Sequence, residues 1–234
     1  MNRRMLLFLS VLLNVILISG FVILIQKLGG IKYLVYRFRH DGITGVYEHR
    51  KNILEKMPET SGAIVFLGDS HTAYQEWAEV FQSPAIKNRG IAGDGTEGVL
   101  KRLPTILESR PSKIFLMIGV NDLLFLSPDQ ILENYRLIVE TINKNSPQTK
   151  LYLQSILPVN PNVRFLPLSN RDIERLNLGI EALAKKSKAE FVNLYPRFLD
   201  SSGLLKSELT QDGIHLDQPG YEIWIAAIRN LVKS

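Results

Sequence analysis

Short apolar runs alternate with longer segments of helical period from residue 63 to the end of the chain, and this alternation constrains the fold more than any other feature. Three of the runs are apolar almost without interruption, as strands are when helices cover both faces of a parallel sheet. The pattern predicts an α/β fold, a three-layer α/β/α sandwich on a central parallel sheet of about five strands. The predicted strands are AIVFLG (63–68), AIKNRG (85–90), KIFLMIG (113–119), KLYLQSI (150–156) and AEFVNLY (189–195).

The segments between these runs carry residue patterns that start helices. Ser127, followed by proline and then by Gln130 at the third position, predicts a capped helix with its apolar residues on one face. Ser169 predicts a second capped start, and we expect another helix to be capped near Thr96. The C-terminal segment PGYEIWIAAIRNLV, residues 219–232, predicts the last helix.

Residues 5–25 form a run of 21 without a charged side chain. At ~1.5 Å per residue, a helix of this length crosses the ~30 Å hydrocarbon core of a bilayer. The sequence therefore predicts a transmembrane anchor at 1–27, a juxtamembrane connector at 28–60 and a globular domain at 61–234. A cleaved signal peptide is the alternative, although its apolar region usually has ~7 to 15 residues and ends in an A-x-A-like site, which is missing. The flanking basic residues do not decide the orientation, and we expect the domain on the extracytoplasmic side.

The charge of the chain resides in its N-terminal part. Lys and Arg number 28 against 23 Asp and Glu, but residues 1–40 hold six of the basic residues and no acidic one. The remaining 22 basic and 23 acidic residues nearly balance, so the domain lacks the positive field that nucleic-acid binding requires, and we expect no nucleic-acid partner. With no cysteine, disulfides, thiolate zinc sites and a cysteine nucleophile are excluded.

Polar and glycine-rich clusters follow three of the predicted strands, and another precedes the last helix. Ligands of open parallel sheets bind at the carboxyl ends of the strands, where helix N-termini and free backbone amides converge. We therefore expect these clusters to form one site. In chain order they are GDSH (68–71), NRGIAG (88–93), GVND (119–122) and TQDGIHLD (210–217).

The four clusters, in this order, resemble the blocks of the SGNH hydrolase superfamily, also called the GDSL esterase and lipase family. His71 stands where many members have leucine, and the resemblance extends from about residue 63 to the C-terminus. It implies a flavodoxin-like sandwich and an acyl-ester substrate, with no cofactor. The run NRGIAGDGTEGVLKRL is similar to the subgroup of the platelet-activating-factor acetylhydrolase catalytic subunits.

Ser70, His215 and Asp212 are the expected catalytic residues. A serine hydroxyl is a poor nucleophile unless a base takes its proton and a third group orients that base. His215 lies on a loop that can reach the sheet edge, and Asp212, three residues earlier, can accept the other ring N–H. The resemblance carries the same assignment. It also implies an oxyanion hole formed by the backbone amides of Ser70 and Gly90 and the side-chain amide of Asn121.

Each of these residues also has a purely structural interpretation. Ser70 could serve as a helix N-cap, Gly90 as a turn residue and Asn121 as the side chain of an Asx-turn. Asp69 and Asp122 could be metal ligands, but no spaced ligand motif accompanies them, and we expect both to accept hydrogen bonds from loop amides. GIAGDG lacks the GK[ST] of a phosphate-binding loop.

The sequence thus predicts a membrane-anchored serine esterase that hydrolyses acyl esters through an acyl-enzyme. The resemblance to the acetylhydrolase subgroup implies a preference for small acyl groups such as acetate. The ester alcohol is expected to be a glycan, a lipid or a small molecule. Two alternatives stay open at this point. The same triad could transfer the acyl group to a sugar hydroxyl, or the domain could bind a ligand without turnover.

Overall fold

The computed structural model describes residues 2–27, 31, 45–57 and 60–234. The chain divides into two compact units, Met1–Gly42 and Ile43–Ser234. The first unit contains helix α1, Arg3–Lys27, which has 25 residues and no buried side chain. With a mean hydropathy of 2.8, α1 is the one helix among the described residues that is long and apolar enough to cross a membrane. Signal sequences near an N-terminus share these properties.

A parallel sheet of five strands forms the centre of the second unit, as predicted. Its order is β2-β1-β3-β4-β5, and all four strand pairs are parallel. Because neighbouring strands run the same way, their carboxyl ends meet at one edge. The strands are β1 (Ile64–Gly68), β2 (Ile86–Gly90), β3 (Lys113–Met117), β4 (Lys150–Gln154) and β5 (Ala189–Val192).

Helices cover both faces of this sheet. Val65 and Leu67 point to one face and join a core with α5, α6 and α7, whereas Phe66 points to the other and joins a core with Trp77 and with Trp224 of α8. The three-layer α/β/α sandwich is thereby confirmed. The helices of this unit are α2 (residues 45–56), α3 (Ser70–Ala73), α4 (Trp77–Val80), α5 (Thr96–Glu108), α6 (Pro128–Asn145), α7 (Asn170–Lys186) and α8 (Gln218–Lys233).

The predicted helix starts are at the expected places, but their caps differ. Ser127 and Gln130 form the full capping box of α6, which confirms that prediction. Ser169 occupies the N-cap position of α7 without a side-chain hydrogen bond, so its expected cap is corrected. At the start of α5 the cap comes from a distant residue, because the Asp122 carboxylate accepts the backbone N–H of Thr96 at 3.1 Å.

Helix α2 packs against the rest of the second unit. Leu54 is buried, and a small cavity between α2 and α5 is lined by Lys51, Leu54 and Arg102. Burial, followed by the charge of Asp94, raises the pKa of Tyr47 to about 12. The second unit therefore begins at Ile43, before the predicted domain start at residue 61. Apart from residues 31, 45–57 and 60, the predicted connector lies outside the described residues.

Candidate active site

Ser70 lies at the turn from β1 into α3. The side chain of Asp69 accepts the backbone N–H of His71 at 3.0 Å and so caps α3. A Cβ at Gly68 would lie 2.1 Å from the carbonyl oxygen of Met117, so only glycine lets β1 approach β3 here. The turn leaves Ser70 at the carboxyl edge of the sheet, with 5% of its surface exposed.

The structure brings Ser70 together with His215 and Asp212, as expected. His215 Nε2 lies 2.9 Å from Ser70 Oγ across 145 residues of sequence, and His215 Nδ1 lies 2.6 Å from Asp212 Oδ2. With a proton on Nδ1, the ring donates to Asp212 and accepts from the Ser70 hydroxyl. This geometry lets the imidazole take the serine proton.

Asp212 is held by the loop that carries His215. Its Oδ1 accepts the backbone N–H groups of Ile214 at 3.0 Å and His215 at 2.8 Å. Partial burial raises the pKa of Asp212, but the hydrogen bonds from His215 and Ile214 outweigh burial and hold the pKa below its ordinary value. The carboxylate is therefore ionised when a positive charge develops on the neighbouring ring.

Asn121 follows β3 and is fixed on one side only. Its Nδ2 donates to the carbonyl oxygen of Asp94 at 2.9 Å, which leaves the second amide hydrogen for another acceptor. The backbone N–H of Ser70 has no protein acceptor among the described residues. Both groups are thus available as donors to a bound oxygen.

The expected donor from Gly90 is corrected. Its backbone N–H already donates to Asn88 Oδ1 at 2.9 Å, so it cannot also hold an oxyanion. The glycine serves packing, because a Cβ there would lie 2.4 Å from the backbone nitrogen of Ala73 in α3. Gly93, in the turn after β2, has a φ of +79°, and its N–H has no acceptor within the described part of the chain. Sequence reasoning missed it, although it is the second glycine of GIAGDG.

Arg102 ties the strand ends beneath the site. It donates to Asp94 Oδ2 at 2.9 Å, to the carbonyl oxygen of Arg89 at 2.6 Å and to that of Gly68 at 3.2 Å. The guanidinium thereby balances a buried carboxylate and satisfies carbonyl groups at the ends of β1 and β2. The network fixes the turn that holds Asn121.

Asp122 braces a second loop, as expected from the sequence. It accepts the backbone N–H of Thr96 at 3.1 Å and the Thr96 hydroxyl at 2.7 Å. Burial raises the pKa of Asp122 to about 6, against these hydrogen bonds. No group of three His, Asp or Glu side chains suited to a metal ion occurs in the ranges that the structure describes.

Two further features of the site were not predicted. The Tyr74 ring, 57% exposed, lies with its centroid 5.3 Å from that of His215, so it forms part of the rim. The loop of residues 158–170 contacts the His215 loop, because the Asn160 backbone N–H donates to the carbonyl oxygen of Gly213 at 2.7 Å. Spacing in the sequence does not reveal contacts of this kind.

Comparison with known proteins gives consistent matches. A family model described as GDSL-like lipase/acylhydrolase family matches residues 62–223. The chain is 29% identical over 184 residues to platelet-activating factor acetylhydrolase IB subunit alpha1 of Homo sapiens, covering 76% of this chain and 77% of the relative. A solved structure from Streptococcus pneumonia, described as a platelet activating factor, has a TM-score of 0.77 and 29% identity, covering 85% of this chain and 98% of that chain. A GDSL-like lipase from Bacteroides thetaiotaomicron has a TM-score of 0.69 and 25% identity, with coverage of 80% and 97%.

Proposed function

The chain belongs to the GDSL-like lipase/acylhydrolase family and is an esterase-type hydrolase, and on this basis we propose that it cleaves short acyl esters with Ser70 as the nucleophile. One observation carries the proposal. The Ser70 hydroxyl, the His215 ring and the Asp212 carboxylate form a continuous hydrogen-bonded chain with contacts of 2.9 and 2.6 Å. Such a chain activates a serine hydroxyl at neutral pH.

The proposed reaction has two halves. As Ser70 Oγ bonds to the ester carbonyl carbon, His215 Nε2 takes the hydroxyl proton, and it then passes this proton to the leaving alcohol as the ester C–O bond breaks. Water attacks the resulting acyl-serine in the same way. His215 takes the water proton and returns it to Ser70 Oγ, which releases the carboxylic acid.

Hydrogen-bond donors at the same sheet edge are proposed to stabilise the negative charge that develops on the carbonyl oxygen. We take the backbone N–H of Ser70 and the side-chain amide of Asn121 as two of them. The Ser70 N–H has no protein acceptor among the described residues, and the Asn121 amide uses only one of its two hydrogens. Gly93 replaces Gly90 as the third donor, because the Gly90 N–H is already used by Asn88. Fixed donors of this kind stabilise the oxyanion without reorganising during the reaction.

A small acyl group is the favoured substrate. The Homo sapiens relative is named an acetylhydrolase, and this supports an acetyl-like group for the present chain. Rates on p-nitrophenyl acetate and p-nitrophenyl palmitate test the assignment. We expect faster turnover of acetate, and a strong preference for palmitate contradicts it.

We further assign α1 as a retained anchor, with residues 1–27 at the membrane and the hydrolase unit on the extracytoplasmic side. The length and hydropathy of α1 support a helix that spans a membrane, and the run of 21 uncharged residues without an A-x-A-like site favours its retention. N-terminal sequencing of the protein recovered from membranes tests retention, and protease access in intact cells tests the side. A mature chain that begins after residue 27 identifies a cleaved signal peptide instead.

Covalent labelling tests the nucleophile directly. The full chain, in membranes, is treated with a fluorophosphonate, which reacts with activated serines. We expect labelling of the wild type, no labelling of Ser70→Ala, and unchanged labelling of Ser202→Ala, an exposed serine used as the control. A folded wild type that stays unlabelled favours a binding domain. Acyl-glycan formed from an acetyl donor, in place of free acetate, identifies acyl transfer.

A further inference from the structure

His71 is a buried histidine that the reaction above does not use. Only 3% of its surface is exposed. Its Nδ1 lies 3.3 Å from Asp69 Oδ1, and its Nε2 lies 2.8 Å from the carbonyl oxygen of Ile214. Ile214 immediately precedes His215, so the ring connects the nucleophile turn to the loop that carries the base.

The partners of the His71 ring determine its protons. A carbonyl oxygen only accepts hydrogen bonds, so Nε2 must carry a proton to bond to Ile214. Asp69 Oδ1 already accepts the His71 backbone N–H at 3.0 Å and is therefore an acceptor as well. An unprotonated Nδ1 would set two lone pairs against each other in a buried site, so Nδ1 is protonated too.

The charges around the site support a cationic ring. Asp94 is balanced by Arg102, and Asp122 is held by Thr96, whereas the ionisable side chain in contact with Asp69 is that of His71. Burial lowers the pKa of His71, but Asp69, then the Ile214 carbonyl and Asp212, outweigh burial and raise the pKa above its ordinary value.

The neighbours of the ring leave it little freedom. The Tyr221 hydroxyl of α8 donates to the His71 carbonyl oxygen at 2.9 Å, which fixes the backbone of the residue. The His215 ring centroid lies 5.7 Å from that of His71. A shift of the His71 side chain therefore changes the position of the Ile214 carbonyl and, with it, of His215.

We propose that His71 is a positioning residue, which donates from both ring nitrogens and fastens the Ile214 backbone of the base loop to the Asp69 carboxylate of the nucleophile turn. The inference rests on the proposed function, because it assigns to His71 the maintenance of the contact between Ser70 and His215. This role requires no contact between His71 and the substrate. Its loss is expected to lower the rate of the chemical step without weakening substrate binding.

Three variants of the full chain separate the two hydrogen bonds. His71→Gln places an N–H donor near the position of Nε2 and retains the bond to Ile214, whereas His71→Asn places its donor near Nδ1 and loses that bond. His71→Leu loses both. Since a misplacement of about 1 Å can cost on the order of 10²-fold, we expect kcat to fall by this order in the Asn and Leu variants, with KM little changed. We expect His71→Gln to retain most of kcat.

The exposed His49 provides the control, and His49→Gln is expected to leave kcat unchanged. Wild-type kcat in folded His71→Asn, or equal losses in the Gln and Asn variants, overturns the role assigned to the Ile214 bond. A wild type without esterase activity or labelling defeats the proposed function instead, so the two failures are distinguishable.

Nuclear magnetic resonance of the full wild-type chain with ¹⁵N-labelled histidine gives a second readout, which does not depend on enzyme activity. The signals of His71 are assigned by their loss in His71→Gln. At pH ~7.5, about one unit above the ordinary histidine pKa, we expect both ring nitrogens of His71 to be protonated. A ring with a single proton at this pH overturns the proposal.

Discussion

Asn121 and Asp94 lie after different strands, and one hydrogen bond joins them, from Asn121 Nδ2 to the Asp94 carbonyl oxygen at 2.9 Å. The Asp94 side chain is in turn held by Arg102 at 2.9 Å. This arrangement orients the Asn121 carboxamide before any substrate arrives. Preorganised donors contribute most to a reaction when they need not move as charge develops.

Asn121→Ala is therefore expected to lower kcat by about 10²- to 10³-fold, since it removes one of the donors that we propose for the oxyanion. KM should change little, because the ground-state carbonyl carries less charge than the oxyanion. Steady-state kinetics on p-nitrophenyl acetate measures both quantities. Asn145→Ala, at the exposed end of α6, is the matched control and should match the wild type. A loss confined to KM would assign Asn121 to substrate binding only.

Asp212→Asn is expected to reduce kcat by on the order of 10⁴-fold, because an amide at this position favours the wrong tautomer of the base. The affected contact is the one of 2.6 Å between Asp212 Oδ2 and His215 Nδ1. Asp217→Asn tests the general effect of removing a charge from the same loop. Asp217 makes no side-chain cap bond to α8. Its Oδ1 accepts an exposed hydrogen bond from Gln211 Nε2 at 3.1 Å, which an amide oxygen can also accept, so its variant should retain activity within a few-fold. Similar losses in both variants would refute the specific role of Asp212.

The raised pKa of Asp122 predicts a pH-dependent stability. The unfolded chain releases this proton near pH 3.8, whereas the folded protein holds it to about pH 6. Between these values the folded state binds more protons than the unfolded state, so the free energy of unfolding falls as the pH rises, by roughly 3 kcal/mol at most. This contribution is complete below the unfolded pKa and is lost above the folded one.

Asp122→Asn removes the titrating group, so the difference in unfolding free energy between wild type and variant should change across this window. Denaturant unfolding of both full chains in detergent at pH ~4, 5, 6 and 7 measures that difference. If the unfolding free energies of wild type and variant change in parallel with pH, Asp122 does not titrate in this range.

Alanine substitutions at two glycines with similar backbone angles distinguish the cost of the backbone conformation from that of a steric clash. Gly213 has a φ of +82° and Gly203 a φ of +75°, so alanine at either position costs roughly 1–2 kcal/mol. A Cβ at Gly213 would also lie 2.3 Å from the Asn160 carbonyl oxygen, whereas nothing lies within 4 Å of one at Gly203.

Gly213→Ala is therefore expected to be less stable than Gly203→Ala by about 1–3 kcal/mol, and to lose activity as the base loop moves. Thermal unfolding and kcat measure the two effects. Equal losses of stability in the two variants would mean that the Asn160 backbone moves away from the new Cβ without an energetic cost.

The sequence was sufficient for the strands, the order of the clusters and the nearness of Ser70, Asp212 and His215. These features follow from apolar runs and from side chains whose chemistry is distinctive. The oxyanion donors were harder, because every residue except proline has a backbone N–H. Only the hydrogen bond from Gly90 to Asn88 shows that this amide is occupied and that Gly93 is the better candidate.

Capping and long-range contacts were also beyond the sequence. Ser169 has a side chain that can cap, yet α7 begins without using it. The start of α5 is instead held by Asp122, 26 residues further along the chain. The contact between the His71 ring and the Ile214 carbonyl spans 143 residues. Such pairs depend on how the loops at the sheet edge are placed, which local patterns do not encode.

The packing of α2 has a practical consequence for producing a soluble enzyme. Leu54 of α2 is buried. The charge of Asp94 contributes to the raised pKa of Tyr47 in the same helix, and the Asp94 carbonyl oxygen accepts the hydrogen bond from Asn121. Trimming the gene to residue 61 would remove α2 and expose the residues of α5 that it covers. A truncated version intended for crystallisation or screening should keep residues 43–60 and remove only the portion before them.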